Sequence, residues 1–191
     1  MIKLLVMGDT HIPDRASEIH PRMRNYIENE RPWSIVIFTG DLTSEKILEW
    51  VESLGKQVII VKGNIDYLPL PRSHVFRMEE FTIGVHHGDG IFPRGDTGRL
   101  SSLARSLKSN ILITGHTHSD FIKTSPDKDI LLLNPGSLTG VWGGGGGSYI
   151  PSFMVVEIGQ GEISINTLKL INEDLRVTHR HIKYYERKWI L

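Results

Sequence analysis

Residues 1–11 read Met-Ile-Lys-Leu-Leu-Val-Met-Gly-Asp-Thr-His: an apolar run that stops at a glycine and then offers two candidate metal ligands, Asp9 and His11. The run Ile2–Met7 has the length and composition of a buried strand. The same arrangement recurs along the chain. Ser34–Thr39 is followed by Gly40-Asp41, and Gln57–Val61 by Gly63-Asn64-Ile65-Asp66. Thr82–His86 leads into His87-Gly88-Asp89, and Ile111–Thr114 into Gly115-His116-Thr117-His118. Further strands are expected at Val75–Met78, Ile130–Leu133, Phe153–Ile158 and Glu162–Leu168, with Glu79-Glu80 as a hairpin turn. In Glu162–Leu168 a period of two puts Ile163, Ile165 and Thr167 on one face.

Helical patterns separate some of these runs. One helix is expected to open at Pro21, a good first helical residue, and to run to about Glu30. A second follows Thr43-Ser44, either of which can cap, with Glu45 in the first turn; Ile47, Leu48, Val51 and Leu54 form its apolar stripe, and Gly55 is read as its stop. A third opens at Asp96 or Thr97 and aligns Leu100, Leu103, Ala104 and Leu107. Strands alternating with helices give an α/β (α+β) fold class.

Composition narrows the function. The chain has 191 residues, the length of one domain, read here as a single unit over 1–191 whose charged end, 172–191, is a terminal strand or packed tail. Its 22 Lys and Arg balance 22 Asp and Glu, which argues against a nucleic-acid partner. It has no cysteine, so disulfides, thiolate metal sites and a cysteine nucleophile are excluded. The N-terminal apolar run is too short for a signal sequence, and no run approaches a membrane span, so a cytoplasmic protein without a membrane partner is expected. Trp33, Trp50, Trp142 and Trp189 are candidate interface anchors for a homo-oligomer.

The polar residues at the strand ends suit one another chemically. Asp9, His11, Asp41, Asn64, His87, His116 and His118 offer carboxylate, amide and imidazole donors. Such donors suit divalent Mn, Fe, Co, Ni or Zn. Asp-x-His and His-x-His place two side chains on one side of an extended segment. Seven donors are too many for one tetrahedral ion and fit two ions sharing a carboxylate. Strand ends are also where α/β sheets bind ligands.

In this order, Asp-x-His, Gly-Asp, Gly-Asn-x-Asp, His-Gly and Gly-His-Thr-His resemble the calcineurin-like metallophosphoesterase superfamily. Asn134-Pro135-Gly136-Ser137 is similar to its small bacterial and archaeal phosphodiesterase branch, which is related in fold to the scaffold subunit of the eukaryotic retromer complex. The resemblance spans about residues 1–158. It implies a four-layer α-β-β-α sandwich of two mixed sheets. It also implies a first metal on Asp9, His11 and His118, a second on Asn64, His87 and His116, and Asp41 bridging them. The implied reaction is hydrolysis of a small phosphodiester by a hydroxide bridging the two ions, manganese among the candidate metals. Asn64, Asp41 and His87 are the implied catalytic residues. Ile65 departs from the pattern: larger members carry a histidine there, proposed to protonate the leaving group.

Other residues carry weaker signals. Asp66 and His86 are expected to support the ligands from behind. Asn134, Gly136 and Ser137 are expected, together with Asn64, to face substrate. Gly143–Gly147, five glycines in a row flanked by Trp142 and Tyr149, reads as a mobile loop or as a lid beside the metals. Arg15, Arg94 and Arg99 are candidate phosphate binders. His179-Arg180-His181 lacks a neighbouring carboxylate motif and reads as a solvated strand or tail. Two rival functions remain open: a metal-binding scaffold of the same fold, and, less favoured by the charge balance, a nuclease.

Overall fold

Leu4 and Val6 project to one side of strand β1 (Ile2–Met7), Leu5 and Met7 to the other, and all four are fully buried. A strand apolar on both faces needs cover on both. The computed structural model, which describes residues 1–191, supplies that cover with four layers. The remaining elements are α1 (Pro21–Asn29), β2 (Trp33–Phe38), α2 (Glu45–Glu52), β3 (Gly55–Ile60), β4 (Ser73–Met78), β5 (Phe81–His86), α3 (Thr97–Ser106), β6 (Ile111–Ile113), β7 (Asp120–Thr124), β8 (Leu131–Pro135), β9 (Ser152–Gly159), β10 (Glu162–Ile171), β11 (Asp174–Tyr185) and β12 (Lys188–Ile190).

Two mixed sheets form. One runs β12-β11-β10-β9-β1-β2-β3, the other β4-β5-β6-β8-β7. β1 pairs in parallel with β2, Leu4 opposite Ile35, and antiparallel with β9, Leu4 opposite Val156. Between the sheets Leu4, Val6, Ile35 and Ile37 meet Ile83, Val85, Ile113 and Leu133. The outer face of the first sheet packs Leu5, Val36 and Phe38 against Met23 and Ile27 of α1 and Ile47 and Val51 of α2. The outer face of the second packs Leu112 and Leu132 against Leu100 and Ala104 of α3. The expected α-β-β-α sandwich is therefore the observed one.

The helices start where their caps allow. Ser44 Oγ accepts from Ile47 N at 3.3 Å, Asp96 Oδ1 from Arg99 N at 2.8 Å, and the His20 ring caps α1 ahead of Pro21. No helix is long and apolar enough to cross a membrane.

Several expectations change. Gly55 does not stop α2; the helix closes at Ser53, and Gly55 opens β3. β7 is a strand that the sequence pattern does not predict. The charged end is two strands, β11 and β12, and β11 pairs with β10 along its length, from Ile171–Asp174 to Glu162–Lys183. Trp189 on β12 lies against Phe81 with ring centroids 5.0 Å apart. Trp33 and Trp189 are 2% and 1% exposed, so neither is an interface anchor. Trp142 remains at the surface.

Candidate metal centre

The loops that follow β1, β2, β3, β5 and β6 meet at one end of the two sheets. Their backbones bend sharply. Asp9, His11, Asp41, His116 and His118 all have φ between 49° and 67°. That left-handed region costs a non-glycine residue of order 1–3 kcal/mol and is common at functional sites. The expectation of extended Asp-x-His and His-x-His segments is therefore corrected: the side chains converge because the chain turns. The glycines make room. At Gly63 an added Cβ would lie 2.0 Å from Asp41 Oδ1, and at Gly115 2.7 Å from Asp9 Oδ2.

Two groups of donors result. In the first, His11 Nε2 and His118 Nε2 are 2.9 Å apart, and Asp9 Oδ1 lies 3.5 Å from His118 Nε2 and 3.9 Å from His11 Nε2. In the second, His87 Nε2 lies 3.1 Å from Asn64 Oδ1 and 3.3 Å from Asp41 Oδ2, and the His116 ring stands edge-on to His87 at 5.1 Å. Asp41 Oδ2 is also 3.6 Å from His11 Nε2, so its carboxylate sits between the groups. His116 and His118, two apart in sequence, belong to different groups.

Backbone carbonyls fix the rings. His87 donates from Nδ1 to Thr39 O, and His118 from Nδ1 to Val141 O, each at 2.7 Å. Each ring thus turns Nε2 inward, the tautomer that a metal ligand uses. Carbonyls leave no sequence signature, so nothing in the sequence marks Thr39 or Val141 for this role. His11 Nδ1 is buried without a partner.

The electrostatics are those of a crowded, water-poor site. Burial pushes the Asp9 carboxyl up to about 7, despite the nearby His87 charge. Burial pushes His11 down to about 3 and His116 down to about 4, and lowers His118. Burial would also lower His87, but its bond to Asp41 and the Asp9 and Asp41 charges raise it to about 9. Burial works against ionisation of Asp41, and the His87 bond overcomes it, holding that carboxyl below its ordinary range.

These residues fit divalent cations. Metal–ligand bonds of about 2.0–2.2 Å set neighbouring donors roughly 3–3.6 Å apart. The Nε2–Nε2, Nε2–Oδ1 and Nε2–Oδ2 spacings fall in or near that range. Asp9, His11 and His118 form one group able to hold an ion, and Asp9, Asp41 and His87 another. A cation would also balance two buried carboxylates.

Other sequence-derived residues sit behind this front. Asp66 accepts from the backbone N–H of Asp41 (2.8 Å), Thr43 (3.0 Å) and Gly63 (2.8 Å), so it ties loops together and does not touch an imidazole. His86 Nδ1 accepts from Gly88 N and braces that turn. Asn134 and Ser137 are fully buried. Asn134 donates to Gly115 O at 2.7 Å and accepts from Gly136 N; Ser137 donates to Asp9 O at 2.7 Å. Their polar atoms thus brace the loops carrying Asp9 and His116. Asn64, by contrast, is exposed. The glycine run folds against the His118 ring, and a Cβ at Gly143 would lie 2.6 Å from His118 Cγ. Arg15 donates to Trp142 O at 2.8 Å, and Arg94 donates to Gly143 O. Arg99 belongs to α3. His181 reaches Glu162 at 3.3 Å on the exposed face of β11, away from any further metal-ligand group. A cavity of about 440 Å³ between α1 and α2 contains none of the seven donors.

Comparison with known proteins agrees with this geometry. A family model described as the calcineurin-like phosphoesterase superfamily domain matches residues 2–161. A protein of Methanocaldococcus jannaschii named "Probable metallophosphoesterase" is 43% identical over 134 residues, 70% of this chain and 67% of that one. One of Methanothermobacter thermautotrophicus with the same description is 44% identical over 137 residues, 70% of this chain and 76% of that one. Among solved structures, wild-type Vps29 of Entamoeba histolytica, crystallised with zinc, has a TM-score of 0.84 and 32% identity, covering 94% of this chain and 99% of that one.

Proposed function

The chain belongs to the calcineurin-like phosphoesterase superfamily, and from that premise we propose that it is a dinuclear metal-dependent phosphodiesterase acting on small phosphodiesters. The observation that carries this reading is the meeting of Asp9, His11, Asp41, Asn64, His87, His116 and His118 at one end of the sandwich. In the proposal Asp9, His11 and His118 would hold one divalent ion and Asn64, His87 and His116 the other, and Asp41, between the groups, would be available to both. When bound, such ions supply Lewis-acid charge for the phosphoryl oxygens and lower the pKa of water so that it can act as nucleophile.

The chain's own residues set the geometry of that reaction. Asp41 is oriented through Oδ1, which accepts from Ile65 N at 3.1 Å, and through its own N–H, held by Asp66. The Thr39 carbonyl aims His87. Asn64 uses its carbonyl oxygen toward His87, which leaves its amide NH2 at the solvent edge to donate to a phosphoryl oxygen as charge builds there. Ile65 can neither give nor take a proton. The leaving oxygen must therefore depart as an anion or draw a proton from solvent, where a positioned acid would contribute about 100- to 10,000-fold. Aryl and other low-pKa leaving groups are expected to react fastest. A steep negative slope of log kcat/KM against leaving-group pKa across substituted phenyl diesters is the expected result, and a flat plot contradicts it.

The direct test strips the protein with chelator and assays bis(p-nitrophenyl) phosphate and p-nitrophenyl phosphate with Mn, Ni, Co, Zn, Fe or Mg restored. Turnover that returns with metal, favours the diester and is lost in Asp41→Asn supports the proposal. A second reading, a protein-binding scaffold, is favoured by the likeness to Vps29 over 94% of the chain. Because that relative crystallised with zinc, metal binding alone does not separate the readings; turnover does.

A further inference from the structure

Beside the site lies a second, smaller pocket, about 240 Å³, lined by Arg94, Thr117, Ser119, Phe121, Lys123 and two glycines of the loop, Gly145 and Gly146. We propose that this pocket is an anion subsite that receives a second phosphate carried by the diester substrate, an inference that rests on the phosphodiesterase reading above.

Position is the first argument. Thr117, on the pocket's wall, stands in the chain between His116 and His118, one from each group of donors. The Gly143–Gly147 run closes the other side, with Gly143 against the His118 ring and Ser119 Oγ donating to Gly146 O at 3.4 Å. In the proposal a substrate whose ester lies on the seven donors extends past Thr117 into this pocket.

Charge is the second argument. Arg94 and Lys123 both line the pocket, and neither is paired with a carboxylate. The contrast is local: Lys169 takes Asp120 at 2.7 Å, and Arg105 takes Asp129 at 3.0 Å. The other nearby acid, Asp96, is committed to the start of α3. No acidic side chain lines the pocket; besides the two cations its lining is Thr117, Ser119, Phe121 and glycines. An arginine fork with a lysine point charge suits a phosphate.

Shape is the third. Gly144 has φ 91°, and a Cβ there would lie 2.9 Å from an Arg94 guanidinium nitrogen, so a glycine lets Arg94 lie flat along the loop. Lys123 Nζ is held 4.9 Å above the Phe121 ring, which fixes it beside the pocket. At about 240 Å³ the space is below the roughly 300–1,000 Å³ of a pocket enclosing a whole small ligand, and suits one charged group of a larger one.

The test compares thymidine 5′-(p-nitrophenyl phosphate) with the same diester bearing a 3′-phosphate. The holoprotein is expected to prefer the second by roughly 10-fold or more in kcat/KM, the worth of a charge-assisted contact. Lys123→Ala should collapse that ratio to about 3-fold or less, and Lys123→Arg should keep it. Calorimetric binding of thymidine 3′,5′-bisphosphate against thymidine 5′-phosphate reads the subsite without catalysis. Tighter binding of the bisphosphate that is lost in Lys123→Ala supports the subsite even where neither diester turns over, in which case the enzymatic reading alone fails. Equal affinity for the two nucleotides, or a preference indifferent to Lys123, overturns the subsite whatever the activity.

Discussion

The two donor groups are built from the same kinds of side chain but sit in different surroundings. Asp9, His11 and His118 are between 0% and 2% exposed, and burial holds both rings neutral. Across Asp41, His87 is equally buried yet raised to about 9, while Asn64 is exposed and His116 half-buried. The first group is a closed socket whose two rings are neutral, while burial raises its Asp9 carboxyl to about 7. The second is open on one side and, without a cation, holds a proton on His87. The exposure of Asn64 is why the proposal gives its amide to the phosphoryl oxygen.

The largest effect should come from the residue the groups share. Asp41→Asn removes the carboxylate between them and is expected to lower kcat by on the order of 1,000-fold or more, beyond the 10- to 100-fold typical of a supporting partner. Replacing one residue of each group separates them. His11→Ala should halve the metal content measured by plasma mass spectrometry. Asn64→Ala, which leaves Asp41, His87 and His116 to the second ion, should keep both ions at saturating metal and lose about 100-fold in kcat, the scale of one transition-state hydrogen-bond donor. Equal metal loss in both variants would remove the distinction drawn here.

Asp66 ranks next. Asp66→Asn keeps its shape but weakens the charge-assisted bonds to the Asp41, Thr43 and Gly63 amides. Metal affinity should fall about 10- to 100-fold, with no change in metal stoichiometry at saturation. The smallest effect is a pH dependence. A proton held to about 9 on folded His87, against an ordinary 6.5, stabilises the fold fully below about 6.5 and is lost as pH rises through 9. Chelator-treated protein should therefore lose a few degrees of Tm between pH 6.5 and 9, at roughly 2–4 °C per kcal/mol. Metal-loaded protein should not, because ligation already requires neutral His87. Parallel Tm profiles with and without metal would contradict the assignment of His87 as a ligand.

Much of this was legible in the sequence. β1, β2 and β9 announce themselves as apolar runs because both faces are covered, and β10 because one face is. The polar residues that close the runs mark the loops that meet. What was hidden has physical causes. β11 is exposed along most of its length, so it has no alternation to read; its pairing with β10 holds it in place. β7 is five residues, Asp120–Thr124, four half-buried and Lys123 exposed, directly after the tight His116–His118 turn. The convergence of the seven side chains depends on left-handed turns at Asp9, His11, Asp41, His116 and His118, a conformation that Asp and His adopt without advertising it. Asn134 and Ser137 look alike as turn residues whether they face substrate or brace a loop, and only their burial distinguishes the two.

The central claim is two ions sharing Asp41, and anomalous diffraction from crystals of manganese-loaded protein tests it most directly. The account predicts two peaks about 3.5–4 Å apart with the Asp41 carboxylate between them. One peak confined to Asp9, His11 and His118, or none at saturating metal, would contradict it.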